Sequence, residues 1–533
     1  MRIPFFAAFA AALLTSAAAC GPPATSGRGS TVVIGEATDI QTWNPYLSES
    51  LFTDEVLNLL YPSLFVEQVD YREHPPSFAP HLATSWALSD DGLELLLELH
   101  PEATWDDGAP VTADDVVFSW RAATSPEVGW PDGVLKDRIA SVEAVDAKTV
   151  RVRYTRRYPY QLMDLNDGAI VPAHAWSDVP FDRWRDEDWL ARRRSAGPFR
   201  FRSHTPQQEV VLERNPTYFA TGLPRVEQVV WRVVPSRAAL LTQLLAGGID
   251  LMKSVPPTDA DRVRRHPELE LVEVDDRSYT HLCWNLRRPP LDDVRVRRAL
   301  ALAVDRQALV DAVYRGAARI GVGPVLSTMW AFDDSLEPLP FDPAAARQLL
   351  AEAGFVDRDG DGVLEREGRP LTLELLANSE DEARRDLLLM ISADLGRIGV
   401  LAEPRLVEWG TLLALRDAGN FDAFVNRWVE PTQVDLGEVW RSAAPGEPSL
   451  NFGGFASAEV DELLDLVDEF DDFAAQKPLL DRIQRLIVEQ QPYAFLVENK
   501  RLVGLSRRVE GAVVNDASPY FNLAEWSLAA APR

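Results

Sequence analysis

From residue 31 onward, two hydrophobic periods alternate along the chain. Thr31-Val32-Val33-Ile34-Gly35 is a short β-branched run, and residues 93–99, 149–154, 209–214 and 229–234 have the composition and alternation of strands. Residues 54–61 carry Val56, Leu57 and Leu60 at helical spacing. Ser236 opens a helix through Leu245 that stops at Gly247-Gly248. Helical periods then dominate, at residues 292–304, 305–314 and 343–353. The last has Asp342 as cap, Pro343 in its first turn and Gly354 just past its end, a self-consistent set of start and stop signals. Further helices are expected at residues 381–398, 457–470 and 474–490. No repeat or low-complexity break interrupts this mixed order, which predicts an α/β protein of two or more domains.

One joint is unusually well punctuated. After the strand at 93–99 comes Trp105-Asp106-Asp107-Gly108-Ala109-Pro110-Val111-Thr112-Ala113-Asp114-Asp115-Val116-Val117-Phe118-Ser119. Asp107-Gly108 reads as a tight turn and Thr112 as an N-cap. Asp114 and Asp115 then place negative charge in the first helical turn, where the helix dipole favours it.

The first thirty residues have a different character. Arg2 precedes an apolar run from Ile3 to Leu14, too short to span a bilayer at roughly twenty residues per span. Residues 1–19 therefore read as a signal peptide. Ala17-Ala18-Ala19-Cys20 is similar to a lipoprotein box in which Cys20 is lipidated; the alternative is ordinary cleavage that leaves a free thiol. Residues 20–30 are rich in Gly, Pro and Ser, a flexible tether. With lipid on Cys20, the other of the two cysteines, Cys283, has no partner. It sits in an apolar strand pattern as a buried, inert thiol, and a chain of this size can be stable by burial alone. The formal charge of −28 argues against nucleic acid and against electrostatic binding to anionic lipid. Spread over a surface, it does not argue for a cationic ligand.

The joint at 105–119 resembles the signature of the family-5 bacterial extracellular solute-binding proteins, the oligopeptide- and dipeptide-type receptors of ABC importers. Pro80-His81-Leu82-Ala83-Thr84-Ser85-Trp86, Ala196-Gly197-Pro198-Phe199, Glu213-Arg214-Asn215-Pro216 and the segment from Asn285 to Ala299 are similar to further family motifs in the expected order. So is Asn451-Phe452-Gly453-Gly454-Phe455. The resemblance implies an α/β, two-lobed Venus-flytrap fold with an extra subdomain on the first lobe. Lobe 1 would span residues 31–278, with the subdomain at about 61–195 and a C-terminal return at 503–533. Lobe 2 would span 279–502, and two crossing strands near 279–285 and 496–503 would form the hinge. It further implies an exported, lipid-anchored, monomeric receptor at the periplasmic or cell-surface face. Such a receptor captures a small solute, with peptide leading, and hands it to the permease's transmembrane subunits. The signature lies on the subdomain, away from the ligand.

Peptide-type members hold the ligand as an added strand and clamp its charged ends. By resemblance, Ser48 to Leu51 line the cleft, which makes Glu49 and Ser50 ligand candidates; Glu49 as a helix-start charge is the plainer alternative. Tyr279, Trp284 and Asn285 beside the hinge and Asn451 in the late motif are further candidates, with Trp284 as core the alternative. Peptide binders carry a G-W-x-x-D loop whose aspartate pairs with the peptide amine. Here the string is Asn426-Arg427-Trp428-Val429-Glu430-Pro431. Trp428 is kept, Arg427 stands where glycine is common, and either Glu430 replaces the aspartate or the loop is shortened and the aspartate lost. Loss would favour another cargo of the family: a sugar, an opine or a metal chelate.

Residues 357–368 place Asp357, Asp359 and Asp361 in an EF-hand-like alternation, but Gly368 occupies the position of the bidentate glutamate. An acidic turn is expected, with structural calcium the alternative and no other cofactor. The seven histidines never fall at i, i+4 spacing, and neither G-x-S-x-G nor a phosphate-binding loop is present. Catalysis is therefore not expected. A carboxylate-pair hydrolase and a sensor without transport remain the alternatives.

Overall fold

The computed structural model describes residues 30–444 and 449–529; the expected signal peptide, Cys20 and the expected tether up to residue 29 lie outside the described residues. At its centre run two long antiparallel strands, Leu269–Trp284 and Tyr493–Ser506. On one side the sheet continues through Leu251–Met252, Thr31–Glu36, Gln228–Val233, Glu209–Arg214 and Phe199–Thr205. On the other it continues through Ala423–Val429, Thr372–Asn378 and Leu401–Val407. The parallel pairings within each half need crossovers, and helices supply them. Arg237–Leu245 connects Gln228–Val233 to Leu251–Met252, and Glu382–Arg397 connects Thr372–Asn378 to Leu401–Val407.

The two long strands extend beyond the expected crossing segments. Residues 269–275 mix Leu and Val with Glu and Asp, and that charge density hides a strand whose neighbours are themselves polar. Their ladder shifts register twice, between Thr280 and His281 and, more widely, just before Tyr279. Asp275 faces Lys500 and Tyr279 faces Glu498, so that Asp276, Arg277 and Ser278 oppose the single residue Asn499. The wider shift is a bulge of the kind that redirects side chains. Asn499 Nδ2 donates to the Ser278 carbonyl at 3.3 Å and to Thr280 Oγ1 at 3.1 Å. Asp276 is buried and pairs with both Arg427 and Arg501. Past the bulge, alternate side chains enter different cores: Leu282 and Trp284 on one face, Tyr279 and Cys283 on the other. Cys283 is free and buried, and burial pushes its thiol far up, out of reach of ionisation.

A second, antiparallel sheet runs Ala83–Leu88, Glu94–Leu99, Thr149–Tyr154, Ile139–Ala144. The punctuated joint fastens it. The fully buried Trp105 donates Nε1–H to Asp115 Oδ2 at 3.3 Å, which also accepts the Thr112 N–H at 2.8 Å. Asp115 Oδ1 takes the Ala173 N–H at 2.7 Å, and Asp106 Oδ1 takes that of Ser195 at 3.1 Å. The signature residues thus satisfy one another and two distant backbone groups.

Most helices start where their caps predict. Asp293, Asp305, Asp342, Asp381, Ser457 and Asp472 each accept a backbone N–H. The helix expected at 54–61 instead spans Leu51–Leu57, with Ser50 Oγ accepting the Thr53 N–H at 3.4 Å. The cap sets its start, ahead of the first periodic apolar residue.

Gly197 shows why the Gly-Pro-Phe motif needs its glycine. A Cβ there would lie 2.4 Å from the Leu59 carbonyl oxygen and 2.9 Å from its carbon, main-chain atoms that cannot swing aside. Gly197→Ala is expected to cost about 3 kcal/mol. Urea unfolding should show a lower midpoint at unchanged slope; an unchanged midpoint would rule the contact out.

Candidate functional site

Arg277, carried out of the ladder by the bulge, lines a cavity of about 520 Å³. Its other walls come from residues 45–71, 130–132 and 166–169, from Thr432, and from residues 517–521. A second cavity of about 420 Å³ shares Val69 and Tyr71 with it and continues along Asp275 and Asp516. Both volumes lie in the range of small-molecule sites. Tyr71 is the partition. Its hydroxyl bonds Asp516, and its carbonyl accepts the Trp330 N–H at 2.8 Å. The second sheet's connections also reach across to the far half of the molecule. Tyr160 Oη donates to the Val434 carbonyl at 3.3 Å and its ring packs edge-on to Phe473 at 5.2 Å, while Arg157 pairs with Asp471 at 3.0 Å. These contacts tie the second sheet to the far half of the molecule.

The polar groups around this space are poorly matched to one another. Burial raises the Glu67 carboxyl above its ordinary range, against a hydrogen bond from Thr432 and the charge of Arg277. Arg277 itself keeps a buried Nε with no hydrogen-bond partner among the described residues. Burial likewise raises Asp54, with Asp132 adding repulsion. On the adjoining strand end, burial pushes Glu430 up to about 7, and Glu438 adds to the shift. The Glu430 backbone N–H is tied to the Arg277 carbonyl at 2.7 Å, but no described residue gives its carboxylate a hydrogen bond. Low dielectric without a partner is costly for a carboxylate, so Glu430 is poised to accept a cation.

The residues singled out in the sequence fall in different places. Ser48 lines the larger cavity. Glu49 is exposed, its N–H bonded to Gln41 Oε1 at 2.9 Å, and Ser50 spends its hydroxyl as a helix cap. Tyr279 is buried against Phe495 at 5.8 Å. Trp284 is fully buried in core. Asn285 Nδ2 is used by the Gly419 and Phe421 carbonyls at 3.1 and 3.0 Å. Asn451 likewise holds its own turn, through the Arg441 and Phe455 carbonyls and the Phe455 N–H. Trp428 lies in an aromatic stack, parallel to His281 at 6.2 Å and to Phe452 at 5.9 Å. His281 in turn lies flat on Tyr493 at 4.1 Å, with neither ring nitrogen partnered among the described residues and burial holding it neutral. Sequence reasoning missed Arg277, Glu67, Asp132 and Asp167. No local signal marks them, since each sits in an ordinary charged stretch.

Asp357, Asp359 and Asp361 bring three carboxylate oxygens within 4.8 Å, all exposed. Asp357 accepts the N–H groups of Gly360 and Gly362, Asp359 that of Asp361, and Asp361 that of Val363. These hydrogen bonds fold the loop back on itself as a tight turn.

A mixed α/β body with a long shared strand pair and a cavity beside it is the architecture expected of a solute-binding protein of the periplasmic type. The model of the bacterial extracellular solute-binding proteins, family 5, matches residues 77–445, and the chain belongs to that family. It is 27% identical over 509 residues to the oligopeptide-binding protein AppA of Bacillus subtilis, covering 94% of this chain and 92% of that one. AppA's structure with a nonapeptide superposes with a TM-score of 0.77, over 94% of this chain and 99% of AppA. The heme-binding protein A of Haemophilus influenzae is 26% identical, covering 84% and 83% of the two chains. NikZ of Campylobacter jejuni, solved with Ni(L-His), shares the fold at 24% identity and a TM-score of 0.78, over 94% and 99% of the chains. These relatives are binding proteins, and the expected fold class holds.

Proposed function

We propose that this chain is the lipid-anchored solute receptor of an ABC importer and that its cargo is a short peptide. The observation that carries the cargo reading is the pair of unmatched groups at the strand crossing. Glu430 offers a ligand amine a carboxylate with no other partner, and Arg277 offers a ligand carboxylate a buried N–H that nothing else uses. Glu430 thereby takes the role of the family's amine-binding aspartate. Residues 31–278 with the C-terminal return form one lobe and 279–502 the other, hinged at the bulge. Cys20 carries the anchor, and no catalysis or cofactor is required. AppA's nonapeptide complex supports a peptide. Heme-binding protein A and the NikZ complex show that this architecture also serves other solutes.

The test is thermal unfolding of the protein against di- to pentapeptides, sugars, opines, heme and metal chelates. A true cargo at a hundredfold excess over its dissociation constant adds about 2.7 kcal/mol of stability and raises the midpoint. A peptide response supports the reading. Silence from peptides beside a response to another class would replace it.

A further inference from the structure

Residues 430–436 join the strand Ala423–Val429 to the helix Gly437–Trp440 without regular structure of their own. Three alternate positions of this segment are nonetheless tied, each to a different distant residue. The Glu430 N–H donates to the Arg277 carbonyl at 2.7 Å. The buried Thr432 hydroxyl donates to the Glu67 carboxylate. At Val434 the Tyr160 hydroxyl makes both backbone bonds, accepting the N–H at 3.2 Å and donating to the carbonyl at 3.3 Å. One phenol thus does for Val434 what a neighbouring strand would do. Tyr160 is buried, and its ring packs against Phe473. Its own carbonyl accepts the Asp164 N–H at 2.9 Å, at the start of the helix Gln161–Asn166. The hydroxyl is therefore presented from a fixed base. Glu67 and Tyr160 both belong to residues 61–195, the segment expected as an extra subdomain.

We propose that Tyr160 and Glu67 are positioning residues that clasp residues 430–434 and hold the Glu430 carboxylate at the strand crossing. The inference rests on the assignment of Glu430 to the ligand amine and adds how that group is held. An untied segment would let the carboxylate turn toward water, where its attraction for an ammonium is weaker. Ties at every second residue fix the course of the segment, and a group held in place binds without the cost of ordering it. Residues 61–195 thereby take part in ligand binding through lobe 2's own loop.

Residue-resolved hydrogen exchange and urea unfolding of the ligand-free full chain test the clasp in Tyr160→Phe. That variant removes only the hydroxyl and keeps the ring against Phe473, so it should fold. Thr432→Val, which removes the donor to Glu67, is a second, independent variant. The Glu430 amide is the informative one, because its partner is Arg277 and neither variant touches that bond. It should exchange about tenfold faster in each variant, as the segment opens more easily by one hydrogen bond. The stabilisation gained on Glu430→Gln at pH 7 should shrink by about half in the Tyr160→Phe background, since a loosened segment lets water reach the carboxylate. A hydroxyl that served packing alone would leave that gain as it is. Ala-Ala-Ala, titrated calorimetrically at pH 7, should bind Tyr160→Phe about fivefold more weakly than the wild type. Unchanged Glu430 exchange in both variants, an unchanged gain from Glu430→Gln, or equal affinity of wild type and Tyr160→Phe for Ala-Ala-Ala would overturn the clasp. Silence of the wild type toward Ala-Ala-Ala would count against the peptide reading alone, because exchange and unfolding decide the clasp without a ligand.

Discussion

Glu430→Gln is expected to lower affinity for an amine-bearing ligand by roughly 30- to 1,000-fold, and to make the ligand-free protein more stable above pH 7. The two effects have opposite signs because the carboxylate has no partner until ligand arrives. Burial raises its folded-state value to about 7 from an ordinary 4.5. Below pH 4.5 the group is protonated in folded and unfolded chains alike, and nothing is lost. As pH rises toward 7 the unfolded chain ionises freely while the folded one resists, so stability falls through that window. A bound ammonium reverses the balance by favouring the ionised form. Binding should then release a proton, and affinity should climb between about pH 5 and 7. Calorimetry in buffers of different ionisation enthalpy reads the proton directly. Affinity that is flat across this range in the wild type would remove Glu430 from the site.

Asp276→Ala is expected to destabilise the protein by about 3 kcal/mol, the lower end of the range for breaking a buried ion pair. Asp276's side chain is 4% exposed, and its loss strands Arg427 and Arg501 at the bulge. Those guanidiniums keep 39% and 26% of their side-chain surface, so water offsets part of the loss. Burial alone would raise the Asp276 carboxyl, but Arg501 and Arg427 outweigh it and hold it below the ordinary value. The sign follows: this contribution is present above the ordinary aspartate value near pH 4 and is lost as pH falls through the lowered folded-state value. Arg427 stands where the sequence resemblance expects glycine, and its partner sits in the bulge of the long strand pair. The pair should therefore be coupled. Asp276→Ala/Arg427→Gly should be clearly more stable than the sum of the single variants predicts, measured by urea unfolding as a double-mutant cycle. Additive single effects would show that the two side chains do not depend on each other.

Within the candidate site, what the chain shows and what the fold decides differ residue by residue. Trp284, Asn285 and Asn451 stand in motifs legible in the chain, and the structure shows them serving the fold: a core ring and two amides that satisfy backbone carbonyls. Glu430 was legible as a departure from a family string, but its unpartnered, poorly solvated state was not. That state comes from burial in the fold and from Glu438 on another element. Ser50 was placed beside the ligand by resemblance, and its hydroxyl is taken up by the Thr53 N–H.

Local chemistry determined the α/β alternation, the helix starts at Asp293, Asp342, Asp381 and Ser457, the buried Cys283 and the family. Each depends on neighbours within a few residues or on a contiguous string: a cap reaches three residues ahead, and an apolar period repeats within two turns. Only the tertiary structure decided the cavity. Asp54, Glu67, Asp132, Asp167 and Arg277 come from separate stretches, and each alone is an ordinary surface charge. What brings them together is the folding of distant segments around one cavity, and no spacing along the chain records which charges will share a space.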